Sequence, residues 1–579
     1  MIFSSFNWTS KQPRLTGGAL KEAGLAKVYD AVVVGSGAAG GMAATQLCMK
    51  GLKVLMLERG PKFDISTDFH HHRKPYEFPF RGRIRPSERA IYNYAANEWN
   101  KQHFVNELEN PYTGKKFVWV RAQAVGGKTL HWGLVSLRFS PQDFKAASHD
   151  GVGMDWPISY EDVEPYYSKV EDWIGVCGHT DRLENNPDSH FLPPVPLTCA
   201  ESIFRGQIAE KFADRHVIQG RSAVVTTPRF HGRAPCHFCG HCGRVCAVAA
   251  SFSSAGVLLP LAEKTGNLTT RTNAVVWKVT TDKENRAKSV VFIDRITRQV
   301  EEVYGKVIVM GAGTLDSTRI LLNSNDEHPN GLGNSSGVLG KYFCEQIMAG
   351  DITGLIPRLK GNTNRGGDAH PDGGGIYIPK FRNLKEKRKD FVRGYGFEGG
   401  GGSGEFPGFA NKIPGFGAGF KEEVKKYYAT VISIGSFGEV IPRAENHVEI
   451  DPVVRDTWGI PVLKFEVEWG PNELAMARDA VDTQREMFKK AGIEVINERT
   501  DPLTPGWSIH SAGTARMGND AKTSYLNKFN QSHDIKNLFI ADASCFVNST
   551  EKNPTLTILA LSMRTADYIA EQMRSGALG

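Results

Sequence analysis

Residues 28–59 constrain this chain more than any other stretch. Val28-Tyr29-Asp30-Ala31-Val32-Val33-Val34 is a valine-rich run that reads as a buried strand. Gly35-Ser36-Gly37-Ala38-Ala39-Gly40 follows at once, and an alanine-rich segment continues to residue 50. A second apolar run, residues 52–57, ends at Glu58-Arg59. Strand, glycine turn, helix and strand make a βαβ unit of the dinucleotide-binding kind. The first glycine permits the tight turn. The second lets a pyrophosphate approach the backbone, and the third lets the helix pack on the strand. Glu58, closing the second strand, is placed to accept hydrogen bonds from a ribose. The motif alone does not separate FAD from NAD.

The remaining pattern is read more coarsely. Residues 1–27 form a polar lead-in, and 61–115 an irregular excursion whose His70-His71-His72 run suits a solvated loop better than a metal site. Ser159 and Asp162 predict a capping box opening a helix to about Trp173. Residues 267–310 alternate like antiparallel strands and end in the buried run Val307–Met310. The glycine-dense stretch 360–420 reads as long loops, with no three-residue period. Residues 429–468 return to strand patterning, 472–491 predict an amphipathic helix closed by Gly492, and 553–573 a helix opened by Pro554.

Composition sets limits. Hydrophobic residues make up 40% and charged residues 23%, which excludes whole-chain disorder. No apolar run reaches the ~20 residues needed to span a bilayer, and the first eight residues lack the pattern of an export leader. A net charge of +7 over 579 residues is too dilute for a nucleic-acid surface. The nine cysteines are odd in number, and four of them, Cys236, Cys239, Cys242 and Cys246, are spaced x2, x2, x3. That is a ferredoxin-like run, with Ala247 where proline is usual. An iron–sulfur cluster is the first reading; zinc, and disulfides or free thiols, are the alternatives.

Several segments together resemble the glucose–methanol–choline (GMC) oxidoreductases. They are the glycine fingerprint with Glu58; Val125-Gly126-Gly127-Lys128-Thr129-Leu130-His131-Trp132-Gly133; residues 311–324; residues 510–518; and residues 537–543 leading to Asn553-Pro554-Thr555-Leu556. The resemblance implies an α/β plus β fold: a Rossmann-like FAD-binding domain interleaved with a substrate domain on an antiparallel sheet with helices. It assigns 28–170, 231–345 and 505–579 to the first, with the cysteine loop 234–250 inserted. Residues 346–504, with parts of 61–115 and 171–230, fall to the second.

The resemblance also implies residue roles. Gly35, Gly37, Ala39 and Gly40 meet the pyrophosphate, Glu58 and Arg59 the adenosine ribose, and the Val276 backbone the adenine. Gly126, Gly127 and Thr129 line the flavin, and His131 matches a histidine that carries a covalent flavin bond in some relatives. Asp542, Ala543 and Thr555 lie near the pyrophosphate, ribityl chain and flavin. His510 is the base and Asn553 its hydroxyl-orienting partner. The cysteine run resembles an insertion in the large subunits of bacterial sugar dehydrogenases such as glucoside 3-dehydrogenases, where the cluster is [4Fe–4S] or [3Fe–4S]. The implied activity is oxidation of a sugar or glycoside secondary hydroxyl, with electrons leaving through the cluster. A small subunit and a cytochrome or quinone-type acceptor are the implied partners, in the cytoplasm or, by co-export, the periplasm. The rivals are an oxygen-using sugar oxidase with structural cysteines and a non-catalytic flavin/iron–sulfur module.

Overall fold

The computed structural model describes residues 27–69, 73–361, 374–402 and 408–578. The lead-in and the His70–His72 run lie outside them. Strand β1 (Val28–Val34), helix α1 (Ala38–Met49) and strand β2 (Val54–Leu57) form the expected βαβ unit. Beyond it lie β3 (Leu268–Arg271), β4 (Ala274–Thr281), β5 (Ala287–Asp294), β6 (Val300–Met310), α2 (Thr314–Asn323), β7 (Leu538–Ile540) and α3 (Thr555–Arg574). The first sheet runs β3-β2-β1-β6-β5-β4, with β7 also paired to β6. β6 is its axis: Val33 faces Val309 across a parallel pair, while the start of β6 pairs antiparallel with β5 and its end pairs in parallel with β7. Strands buried on both faces need unbroken apolar runs, and Val32, Val33 and Val307–Met310 are all fully buried.

One expectation fails locally. β3 is not antiparallel; it joins β2 in parallel, Val54 opposite Leu268. The helix Leu259–Lys264 carries the chain over to that edge, and a four-residue strand carries no pattern that records its direction.

Glycine closes the two βα turns on each other. A Cβ on Gly35 would lie 2.4 Å from the Gly311 carbonyl oxygen, and one on Gly40 2.0 Å from that of Gly35.

The second sheet is antiparallel. Its order is Glu494–Arg499, Asp351–Leu355, Val431–Glu439, Tyr395–Gly401, Ile376–Ile378 and Ile218–Gln219, with Gln346–Ile347 paired to the end of Val431–Glu439. One face is apolar. Ile352, Phe397, Ile432 and Ile434 pack there against Phe204 and Ile208 of helix Cys199–Lys211, and against Met476 and Phe488 of helix Pro471–Lys490. The other face looks toward the first sheet's domain.

The glycine-dense stretch is the larger correction. Within it run two strands of this sheet, and a helix, Gly417–Tyr427; residues 362–373 and 403–407 lie outside the described set. Gly399–Gly401 are strand residues because side chains would not fit there. A Cβ on Gly399 would meet the Ser433 carbonyl oxygen at 2.0 Å, and one on Gly401 the Ala200 Cβ at 2.7 Å. Glycine in a lone sequence reads as a breaker, whereas close approach of a neighbouring element is a tertiary demand. The capped helix Tyr160–Ile174 and α3 follow expectation, the former with Asp162 accepting from the Ser159 N–H at 2.8 Å. No described helix is long and apolar enough to cross a membrane.

Buried charges join the two sheets. Lys552 Nζ lies 2.9 Å from Asp143 Oδ2 and 2.7 Å from Glu551 Oε1. Lys380 Nζ lies 3.1 Å from Asp143 Oδ1 and 2.8 Å from Glu439 Oε1. Burial would raise the Asp143 carboxyl, but the two ammonium groups overcome it and hold Asp143 well below the ordinary carboxylate value. Burial pushes Lys380 down, yet Asp143, Glu439 and Glu551 hold it well above its ordinary value. The depressed acid loses its contribution only in strong acid and the raised amine only in strong base, so the Asp143–Lys380 pair holds across neutral pH. Replacing Lys552 with methionine leaves Asp143 and Glu551 short of a partner. We expect the unfolding free energy to drop by about 3–5 kcal/mol, read from urea denaturation.

Candidate active site

A cavity of about 330 Å³ lies along the C-terminal edge of the first sheet. Its wall includes Gly35, Gly37 and Ala39 of the β1–α1 turn, Glu58 and Arg59 after β2, Gly127, Thr129 and His131, Val276, Asp542 and Ala543, and His510, Asn553 and Thr555. Residues more than 500 positions apart in the chain thus share one surface. Gly40 and Gly126 stand behind it. Gly40 packs α1 on β1, and Gly126, at φ +103°, turns the chain while its N–H donates to Ser36 Oγ at 3.0 Å.

The glycine end is shaped for a dinucleotide. Gly37 and Gly127 face each other so closely that a Cβ on Gly127 would sit 3.0 Å from the Gly37 Cα. Glu58 accepts from Ser36 Oγ at 2.5 Å and from the Gly60 N–H at 2.8 Å. Burial raises its carboxyl, and these two bonds oppose the rise. Each oxygen keeps a lone pair for a ribose hydroxyl. Beside it, burial lowers the Arg59 guanidinium to about 10, and its Nε and Nη2 are buried without partners. Orphaned guanidinium donors in a cavity wall call for an oxygen-rich ligand. A glycine cradle, a buried ribose acceptor and these donors together fit FAD. Asp542 braces the same end: it accepts from the Gly313 N–H at 3.0 Å and from Ser544 Oγ at 2.6 Å, tying β7 to the start of α2.

The other end carries the catalytic candidates. Two adjacent residues that no sequence motif marks hold them in place. Glu345 accepts from the Gly506 N–H at 2.5 Å and from Ser508 Oγ at 2.6 Å, fixing the loop that bears His510. Gln346 donates through Nε2 to the Thr550 carbonyl at 2.6 Å and the Lys552 carbonyl at 2.9 Å. Its nitrogen is thereby committed, so its Oε1 must accept, and the donor is His510 Nδ1. The proton sits on Nδ1 and the lone pair on Nε2. Burial, helped by the Lys128 ammonium, lowers His510 to about 3. The imidazole is therefore neutral and able to accept a proton. Asn553 lines the same end of the cavity, and its Oδ1 is buried without a partner.

His131 also has a forced tautomer. Its Nδ1 faces the Gly243 carbonyl at 2.9 Å, so Nδ1 donates. Its Nε2 then accepts from His103 Nδ1 at 3.0 Å, and His103 Nε2 accepts from Gln102 Nε2 at 3.2 Å. Burial lowers His131 to about 4 and His103 to about 3. Both ring nitrogens of His131 are engaged, so a covalent bond at either would require one of them to be released.

Gly243 belongs to the cysteine loop. Arg233 closes that loop at its base, donating to the Ala249 carbonyl at 2.7 Å and the Ala250 carbonyl at 3.0 Å. Cys236 and Cys242 pack inward beside Leu134 and Val224, whereas Cys239 is exposed. The expected convergence of four thiolates is not present. Among the described residues no group of three or more His, Cys, Asp or Glu side chains is gathered to hold a metal ion. The four cysteines are strung along an irregular loop whose one short helical turn is Cys242–Arg244.

Comparison with known proteins places this geometry. Profiles described as GMC oxidoreductase match residues 29–347 and 442–562. The 2-methyl-1,2-propanediol dehydrogenase of Mycolicibacterium austroafricanum is 28% identical, over 94% of this chain and 95% of that one. The fructose dehydrogenase large subunit of Gluconobacter japonicus is 28% identical, over 94% and 98%. A crystal structure of pyridoxine 4-oxidase from Mesorbium loti shares the fold, with a TM-score of 0.58 at 16% identity over 93% of this chain and 99% of that one.

Two outcomes follow from the imidazoles. Heteronuclear NMR at neutral pH should find His510 as the Nδ1–H tautomer, and its titration should come near pH 3 rather than the ordinary ~6.5. An Nε2–H signal would refute the Gln346 arrangement. Because His103, His131 and His510 are all depressed on folding, each of these imidazoles binds its proton more readily in the unfolded chain. Their contribution to stability should fall as pH drops from ~6.5 toward the folded values, and the carboxyl of Glu345, raised by burial to about 7, opposes them over the same range.

Proposed function

Because the chain belongs to the GMC oxidoreductase family, we propose that it is an FAD-dependent dehydrogenase that oxidises a secondary hydroxyl of a sugar or glycoside to a ketone. The observation that carries this reading is the lone pair of His510 Nε2. It is oriented by Gln346 and set beside Asn553 in the cavity whose far end is the dinucleotide turn. A diol dehydrogenase and a sugar dehydrogenase subunit among the similar proteins support an alcohol donor.

An alcohol releases hydride readily only as its hydroxyl proton departs. His510 Nε2 receives that proton, and the Asn553 amide holds the oxygen that loses it. Gln346 keeps the imidazole from rotating, and burial keeps it unprotonated before substrate arrives. Bound FAD would supply the two-electron acceptor for the hydride of the carbinol carbon. Glu58, Arg59 and the glycine turn would hold its adenosine and pyrophosphate. Noncovalent binding is the favoured form, since both His131 nitrogens are engaged.

The finer reading gives the electrons an exit through an iron–sulfur cluster on Cys236, Cys239, Cys242 and Cys246 to a cytochrome or quinone-type acceptor, with a small subunit as partner. Their spacing supports it, as does the bond from His131 in the cavity wall to Gly243 within the loop. The thiols would have to converge to bind a cluster.

His510→Ala should slow anaerobic flavin reduction by a sugar at least ~10²-fold while dithionite still bleaches the flavin; reduction at the normal rate would refute the assignment. Iron and acid-labile sulfide should copurify with the wild type and fall in Cys242→Ser. Their absence from protein purified without oxygen would remove the cluster from the proposal.

A further inference from the structure

The second sheet touches both members of the catalytic pair with one face. Tyr395 and Phe397 point to the helix-covered core. By alternation Gly396 and Glu398 point the other way. Gly396 pairs with Phe437, whose ring centroid lies 6.1 Å from that of His510. Glu398, opposite Gly435 and Tyr377, has its carboxyl against the Asn553 amide. Gly396 makes the contact possible: a Cβ there would lie 3.1 Å from both Glu551 Cγ and Tyr377 Oη, so its absence lets the loop that ends in Asn553 lie on the sheet.

Three polar atoms at this point, Glu398 Oε1, Asn553 Oδ1 and Tyr377 Oη, are buried without a hydrogen-bond partner. They differ in what they can do. An ionised carboxylate only accepts, so it takes an N–H of Asn553 and repels its Oδ1. An amide nitrogen has two hydrogens, and anchoring one directs the other. We infer that Glu398 is a positioning residue, whose carboxylate holds one N–H of Asn553 and turns the second toward the substrate oxygen that gives its proton to His510. This rests on the alcohol-oxidation reading above. An oxygen that is becoming an alkoxide is stabilised by a donor and destabilised by an acceptor, so the amide's orientation matters to the rate.

Protonated Glu398 would do the opposite: its O–H can donate to Oδ1 and release the nitrogen. Burial pushes the Glu398 carboxyl up to about 7, against the pull of Asn553. The groups around it are Tyr377 from one strand, Gly435 from the other, and Glu551 and Asn553 from the loop. Glu551 in turn pairs with Lys552 and Lys380. Glu201 reaches the same face at the end of the strand: its Oε1 lies 2.9 Å from where a Cβ of Gly400 would be, and it accepts from the Gly401 N–H.

The test uses flavin-loaded protein with Glu398→Gln and Glu398→Asp, both checked for an unchanged flavin spectrum and dithionite reduction. Substrate-driven flavin reduction in the wild type should weaken as pH falls through about 7. Glu398→Gln should lose that step and be slower by about tenfold or more, while Glu398→Asp keeps the step. A rate within about twofold of wild type, with the step intact, overturns the inference. Infrared titration gives a readout that needs no turnover. A carboxyl band should titrate near neutrality, vanish in Glu398→Gln and shift in Asn553→Ala; an unshifted band overturns the contact. If no sugar or alcohol reduces the wild-type flavin, the alcohol reading fails, and the infrared arm still decides whether Glu398 holds Asn553.

Discussion

Lys552, with no exposed side-chain surface, sits between Asp143 and Glu551 one residue before Asn553. Much of the site depends on this buried ammonium. Its side chain binds the loop to Asp143, and Lys380 carries the network from Asp143 onto the second sheet through Glu439. Its carbonyl, with that of Thr550, commits the Gln346 nitrogen and so fixes the proton of His510. One short loop therefore fastens the two sheets together, presents Asn553 and sets the imidazole tautomer. Buried ion pairs of this kind seldom add much net stability over an apolar replacement, but losing one partner is costly. Their value here is in holding one arrangement.

The cavity's electrostatics follow from burial. Desolvation lowers His103, His131 and His510 and raises Glu58, Glu345 and Asp542. Lys128 is the cation that faces His510. Burial lowers it, and Asp316 and Asp542 oppose that change. A site that takes a proton from a hydroxyl needs an uncharged base. The base proposed for this site, His510, is kept neutral by withheld water and by Lys128 and not by a carboxylate partner; the group behind it is a neutral amide. An amide leaves the imidazole a single orientation without adding charge beside it.

Legibility followed the range of the interaction. The βαβ unit, the capped helix from Tyr160, the helix Pro471–Lys490 and α3 were all readable, because strand runs, capping residues and helical periodicity are local. The direction of β3 was not, since a parallel partner is chosen by the crossover and not by the strand. Gly399–Gly401 were misread as loop because their use is to admit Ala200 and the Ser433 backbone. The cysteine spacing was legible as a pattern, yet among the described residues no three such side chains are gathered as a metal would need.

The sequence by itself determined the fold class and the dinucleotide turn and singled out His510 and Asn553 as the proposed pair, because those reside in motifs whose residues are neighbours in the chain. Only the tertiary structure decided what acts on them. Glu345, Gln346 and Glu398 belong to no motif and come from the second sheet and the segment leading into it. Glu345 and Gln346 hold Ser508 and His510 by hydrogen bonds across long separations in sequence, and Glu398 lies against Asn553. A residue type states what it can donate or accept. Which of its atoms is already committed, and which remains for a substrate, is set by the neighbours that folding brings to it.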